Sequence, residues 1–170
     1  MIARAAATCL VALGFACSSA SPVVTPSAPS RGQPITFLYG TPSGETLSSA
    51  STRGRATAIL FVTTFDLPSQ LMAKRLDAVV REHKPRANAG AVALEAPNDA
   101  PLVDVFKSSL GLSYPVALAN TTGFDEPSPF GRIDQVPTLV VLDRRGREVA
   151  RAQGVVTERE IDTALTRAAR

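Results

Sequence analysis

Apolar positions along this chain change their period several times, and each change marks an element. Ile35–Tyr39, ITFLY, is a strand-like run, and the TPSG turn after it returns the chain through a second short strand at Glu45–Ser48. Thr57–Thr64, TAILFVTT, is apolar throughout and rich in β-branched residues, as a strand buried on both faces requires. From Ser69 to His83 the apolar residues Leu71, Met72, Leu76, Val79 and Val80 fall at helical spacing and form one stripe, which Pro85 terminates. Ala91–Glu95 reads as another strand. Asp99–Leu110 reads as a helix with Asn98 or Asp99 at its cap and Gly111 closing it. Three further strands are predicted at Pro115–Ala119, Thr138–Asp143 and Glu148–Gln153, the last two flanking an Arg144-Arg145-Gly146 turn. A final helix starts after Thr157, with Glu160 completing a capping box and Ile161, Leu165 and Ala168 facing inward. The order β-β-β-α-β-α-β-β-β-α combines central βαβ units with a terminal antiparallel hairpin. It predicts a mixed sheet layered by helices, an α/β sandwich.

The first residues follow a different logic. Met1–Arg4 is a short basic tip, Ala5–Ala16 is a small apolar run, and Ser, Ala and Pro follow directly. This is the form of a secretory signal, and the run is shorter than the roughly 20 residues of a spanning helix. The GFAC sequence ending at Cys17 resembles a bacterial lipobox, which makes Cys17 the expected lipidation site. A cut after Ala20, in Ser18-Ser19-Ala20, is the alternative and releases a soluble protein. The expected organisation is a signal and lipobox over 1–17, a flexible Ser/Pro-rich tether over 18–33 and one domain over 34–170. Localisation in the cell envelope follows: periplasmic, and membrane-anchored through lipid if Cys17 is modified.

Cysteine usage narrows the chemistry. The two cysteines are Cys9 and Cys17, so the domain after the signal carries no thiol. Disulfide exchange, a Cys/His zinc cluster and cysteine nucleophiles are excluded there. Charge adds little. The chain has 18 Lys and Arg against 15 Asp and Glu, and the RRGR run at 144–147 is a turn. No basic block is dense enough for nucleic acid. His83, the single histidine, suits the dipole at a helix C-terminus. Asp125, Glu126 and Asp134 lie in or beside a Pro/Gly-rich loop and read as solvated, so no metal site is expected. Tyr39 and Tyr114 read as packing residues with a polar tip.

From about Pro34 to Ala168 the chain resembles the thioredoxin fold, and specifically the TlpA/ResA-type extracytoplasmic thiol–disulfide oxidoreductases. ITFLYGTPSGETLSS is similar to that family's N-terminal hairpin, and LGLSYPVALAN to the segment leading into a later core strand. FGRIDQVPTLVVLDRRGREVARAQG resembles its aliphatic-Pro-Thr strand and hairpin. AILFVTTFDLPSQL resembles the strand–loop–helix that in the family ends in W-C-x-P-C. The resemblance implies a thioredoxin-like three-layer α/β/α sandwich with a mixed sheet and an N-terminal β-hairpin.

Residue by residue, the resemblance puts Phe65 in the Trp place, Asp66 and Ser69 in the places of the two cysteines, and Leu67 and Pro68 between them. Asp66 cannot be oxidised, so the site is degenerate. Asp66 and Ser69 suit a helix N-terminus as a cap. Pro137 falls on the family's cis-proline, and the resemblance implies that Val136, Pro137 and Thr138 border an edge where an extended segment adds as a strand. The loop over Asp66–Ser69 is therefore expected to face Val136-Pro137. The expected function is a redox-inactive envelope module without a cofactor, binding a protein or extended peptide through Phe65, Val136, Pro137 and Thr138. A thiol–disulfide oxidoreductase-related activity and a small-molecule or metal-binding accessory role are the alternatives.

Overall fold

The computed structural model describes residues 32–119 and 128–170. The proposed signal, Cys17, most of the tether, and Asp125 and Glu126 lie outside the described residues. A five-stranded mixed sheet carries the molecule. Its strands are β3 (Ala56–Val62), β4 (Ala87–Ala93), β5 (Val116–Leu118), β6 (Thr138–Leu142) and β7 (Glu148–Gln153), in the order β5-β4-β3-β6-β7. β3, β4 and β5 run parallel, whereas β6 and β7 are antiparallel to their neighbours. A separate two-stranded antiparallel hairpin pairs β1 (Leu38–Gly40) with β2 (Thr46–Ser48). The helices are α1 (Ser49–Thr52), α2 (Leu67–His83), α3 (Ala100–Leu110) and α4 (Glu158–Ala168). This is the thioredoxin-like α/β fold that the sequence resemblance implies.

Alternation along β3 divides the core in two. Ala56, Ala58, Leu60 and Val62 pack with Met72, Leu76 and Val80 of α2, Val103 and Phe106 of α3, and Ile161 and Leu165 of α4. Ile59 and Phe61 point the other way, toward Phe37 and Tyr39 of the hairpin segment, and toward Phe130 and Ile133. Phe130 stacks its edge near Phe61, with ring centroids 5.3 Å apart, a favoured aromatic geometry. Among the described residues, the hairpin and the segment from Ser128 to Val136 thus cover the face opposite the three long helices.

Most expected elements form within two residues of their predicted ends. β4 and β1 are the exceptions. β4 begins at Ala87, four residues before the predicted Ala91, because Ala87–Gly90 pairs with Ala56–Ile59 of β3 despite weak strand propensity. β1 begins at Leu38 instead of Ile35, whose N–H bonds to Gly146 O at 2.9 Å beside the β6–β7 turn. α1 is an unpredicted single turn, closed by a capping box between Ser48 and Ser51. Asp99 does stand at the N-cap of α3, but its side chain makes no capping hydrogen bond. α4 forms as the pattern predicts, with Thr157 and Glu160 in a capping box.

Candidate functional site

The candidate site is built where β3 gives way to α2. β3 ends at Val62, two residues before the predicted end, because Thr63 and Thr64 turn to make side-chain contacts. Thr63 N–H donates to Ser69 Oγ at 3.3 Å, and the Thr63 hydroxyl donates to the Asp66 carboxylate. Asp66 is the N-cap of α2, with extended backbone at φ −98° and ψ 141°, and its Oδ1 accepts from Ser69 N–H at 2.7 Å. Both carboxylate oxygens are therefore engaged within the loop. Pro68 sits in the first turn, where its missing N–H leaves no helical bond unmade. Ser69 is fully buried.

Electrostatics agree with this geometry. Partial burial pushes the Asp66 carboxyl up, but hydrogen bonds from Ser69 and Thr63 outweigh it and hold the group below its ordinary value. A carboxylate held ionised and occupied on both oxygens is a cap. It is poorly placed to act as a base or a nucleophile.

Glu95, just after β4, is a site residue that sequence reasoning treated only as the end of a strand. Its Oε1 accepts from Thr64 N–H at 2.6 Å and from the Thr64 hydroxyl at 2.9 Å. Glu95 is itself buried, so the contact fixes the loop from beneath. The available signal was a single carboxylate at the end of an apolar run, Ala91–Leu94.

With Thr63, Thr64, Asp66 and Ser69 held inward, the intervening side chains turn outward. Phe65 is 77% exposed, Leu67 74% and Leu71 43%. Beside them lies the start of β6. Phe61 pairs with Thr138 in the antiparallel register, so the end of β3 and the approach to β6 occupy neighbouring positions, about 4.8 Å apart strand to strand. The Val136–Pro137 peptide is cis. Pro137 O accepts from Gly154 N–H at 2.8 Å, and Thr138, fully buried, donates its hydroxyl to Gln135 O at 2.7 Å. Among the described residues, the Val136 backbone finds no hydrogen-bond partner.

The structure thus brings Phe65, Asp66, Leu67, Pro68 and Ser69 to the same end of the sheet as Val136, Pro137 and Thr138. Other sequence candidates lie elsewhere. His83 pairs with Asp162 across α2 and α4, Nε2 to Oδ1 at 2.6 Å, far down α2 from its N-terminus. Asp134 pairs with Arg132 at 2.7 Å. Tyr114 donates its hydroxyl to Ala73 O at 2.9 Å, and Tyr39 packs in the second core. Among the described residues, no group of three His, Cys, Asp or Glu side chains is arranged to hold a metal.

Solved structures share this architecture. A thioredoxin-family thiol:disulfide interchange protein from Chlorobium tepidum TLS superposes with a TM-score of 0.72 at 23% identity, covering 84% of this chain and all of its own. A DsbF homologue from Corynebacterium diphtheriae gives 0.72 at 13% identity, over 91% of this chain and 97% of its own. StoA from Bacillus subtilis gives 0.61 at 22% identity, over 76% and 96%. At these identities the likeness is one of fold. No family model matches the chain, and no curated protein matches it.

Proposed function

We propose that the protein is an exported, redox-inactive thioredoxin-like module of the cell envelope that binds a protein or extended peptide beside its degenerate active-site loop. The observation that carries this reading is an apolar, partly unpaired surface at one end of the sheet. Of six exposed large apolar side chains among the described residues, three lie between Phe65 and Leu71. Val136 offers unpaired backbone next to them, the requirement for strand addition. Exposed apolar clusters of this kind mark interaction surfaces. Loss of catalysis rests on composition: both cysteines of the chain precede the domain, and Asp66 and Ser69 stand in the redox positions. The solved structures of like fold include a thiol:disulfide interchange protein and a secreted disulfide oxidoreductase, which supports an extracytoplasmic setting. Export through the signal, and anchoring through a lipid on Cys17, belong to the same proposal.

Two measurements test it. The mature, tagless protein is expected to show no dithiol-dependent reduction of insulin; turnover above the uncatalysed rate would overturn the non-catalytic reading. A photoreactive residue at Phe65 is expected to cross-link one defined envelope protein. The same probe at Glu158, on α4, is expected to yield no such adduct. Leu67→Ser and Pro137→Ala should each weaken the Phe65 adduct severalfold, as truncating a central contact does. Equal labelling from both positions would remove the binding reading.

A further inference from the structure

We propose a second binding site, for a small organic anion with an apolar body, at the opposite end of the sheet from the Asp66 loop. A cleft of about 430 Å³ opens there between the hairpin, the end of α2, the start of β4 and the approach to β5. That volume lies within the range of small-molecule sites. Its floor is apolar: Leu47, Val80 and Tyr114 all line it and all are nearly fully buried. Tyr114 spends its hydroxyl on Ala73 O, so it presents only its ring to the cleft.

The rim has one sign of charge. Arg55 and Lys84 line the cleft and no carboxylate does. Lys84 Nζ donates to Ser113 Oγ at 3.2 Å, a neutral partner that leaves its charge uncompensated. Arg55 makes no ion pair among the described residues. The nearby carboxylate of Asp77 is already committed to Ser113 N–H and Arg81. An apolar floor under two unpaired cations suits a monoanion carrying a short hydrocarbon body, a carboxylate of about six to ten carbons by the volume of such sites.

The cleft is held open by a specific fit. Leu47 seats directly over Gly90, where an added Cβ would lie 2.5 Å from Leu47 Cδ2. This contact docks the hairpin on β4 and fixes one wall.

Octanoate, octanol and inorganic phosphate separate the two halves of the chemistry. Titrated into the isotopically labelled protein, octanoate is expected to bind saturably and to shift the amides of Leu47, Ala87 and Ser113. Octanol lacks the charge and phosphate lacks the body, so each is expected to bind at least tenfold more weakly. The double substitution Arg55→Ala with Lys84→Ala is expected to weaken octanoate at least tenfold. Its amide spectrum should otherwise match that of the wild type, because both side chains are on the surface. Absent saturation, shifts centred on the Asp66 loop, or affinity unchanged in the double variant would each overturn the proposal. Equal affinity for octanol would overturn the anionic class.

Discussion

Asp66 is the residue on which the reading turns. Both its oxygens are taken, by Ser69 N–H and the Thr63 hydroxyl, so its role is to close the first turn of α2. Asp66→Ala should cost about 1 kcal/mol of stability, the usual value of an N-cap, measured by urea unfolding at neutral pH. Asp66→Asn should cost less, since Asn caps as well. The wild type also differs from both variants in pH dependence, since only the carboxyl titrates. The carboxyl titrates lower in the folded state than its ordinary value of 3.8, because the Ser69 and Thr63 bonds overcome desolvation. Its stabilisation is therefore complete above the unfolded value and is lost as pH falls through the lower folded one. The stability gap between wild type and Asp66→Asn should accordingly close as pH is lowered below about 4. A gap that stays constant down to pH 2 would show that the charge does nothing. Glu95 acts on the same loop from below. Glu95→Ala strands the Thr64 N–H and should cost about 1–3 kcal/mol, whereas Glu95→Gln keeps an acceptor and should cost clearly less.

At the scale of elements, propensity and packing share the work unequally. The three long helices were legible because caps and apolar stripes are local: Thr157 with Glu160, Asp66 before Leu67, and Gly111 in the left-handed region at φ 61°. The start of β4 was not legible. Ala87-Asn88-Ala89-Gly90 carries little strand preference, and it is extended only because β3 pairs with it from Ala56 onward. Gly90 was equally silent in the sequence, since its reason is Leu47, which lies 43 positions away in the chain. Gly90→Ala should destabilise by about 1–3 kcal/mol, as overpacking does. The cost should shrink in a Leu47→Ala background, where the new methyl has room. A double-mutant cycle on thermal or urea unfolding measures this coupling, and additive costs would mean that the hairpin yields elsewhere. The loop anchor Glu95 escaped for the same reason as Gly90. A buried carboxylate declares its partner only once β3 and β4 stand side by side.

The whole molecule is a thioredoxin-like scaffold with a strand–loop–helix at one end of its sheet. The strand–loop–helix, the capped first turn and the cis peptide before Pro137 are all in place, while sulfur is absent from the described residues except at Met72. Whether the scaffold supports disulfide chemistry can be tested by supplying two thiols. Asp66 and Ser69 are the N-cap and third residue of α2, and Thr63 bonds to both, its hydroxyl to the Asp66 carboxylate and its N–H to Ser69 Oγ. A disulfide needs Cα atoms within about 7 Å. Asp66→Cys places a thiol at the helix N-terminus, which lowers its pKa below the free value of about 8.5. Ser69→Cys is the more demanding change, because Ser69 is fully buried and accepts from Thr63 N–H. Replacing that hydroxyl by a weaker acceptor should cost about 1 kcal/mol, which leaves a domain of this size folded. The double variant is expected to close one disulfide reversibly, to reopen with dithiothreitol and to reduce insulin slowly. Each single variant is expected to show no intramolecular closure and no turnover. A loop shaped around a carboxylate keeps the expected rate low, so closure is the decisive readout. A folded double variant whose two thiols stay reduced in an oxidising glutathione buffer would show that this loop does not hold the redox geometry.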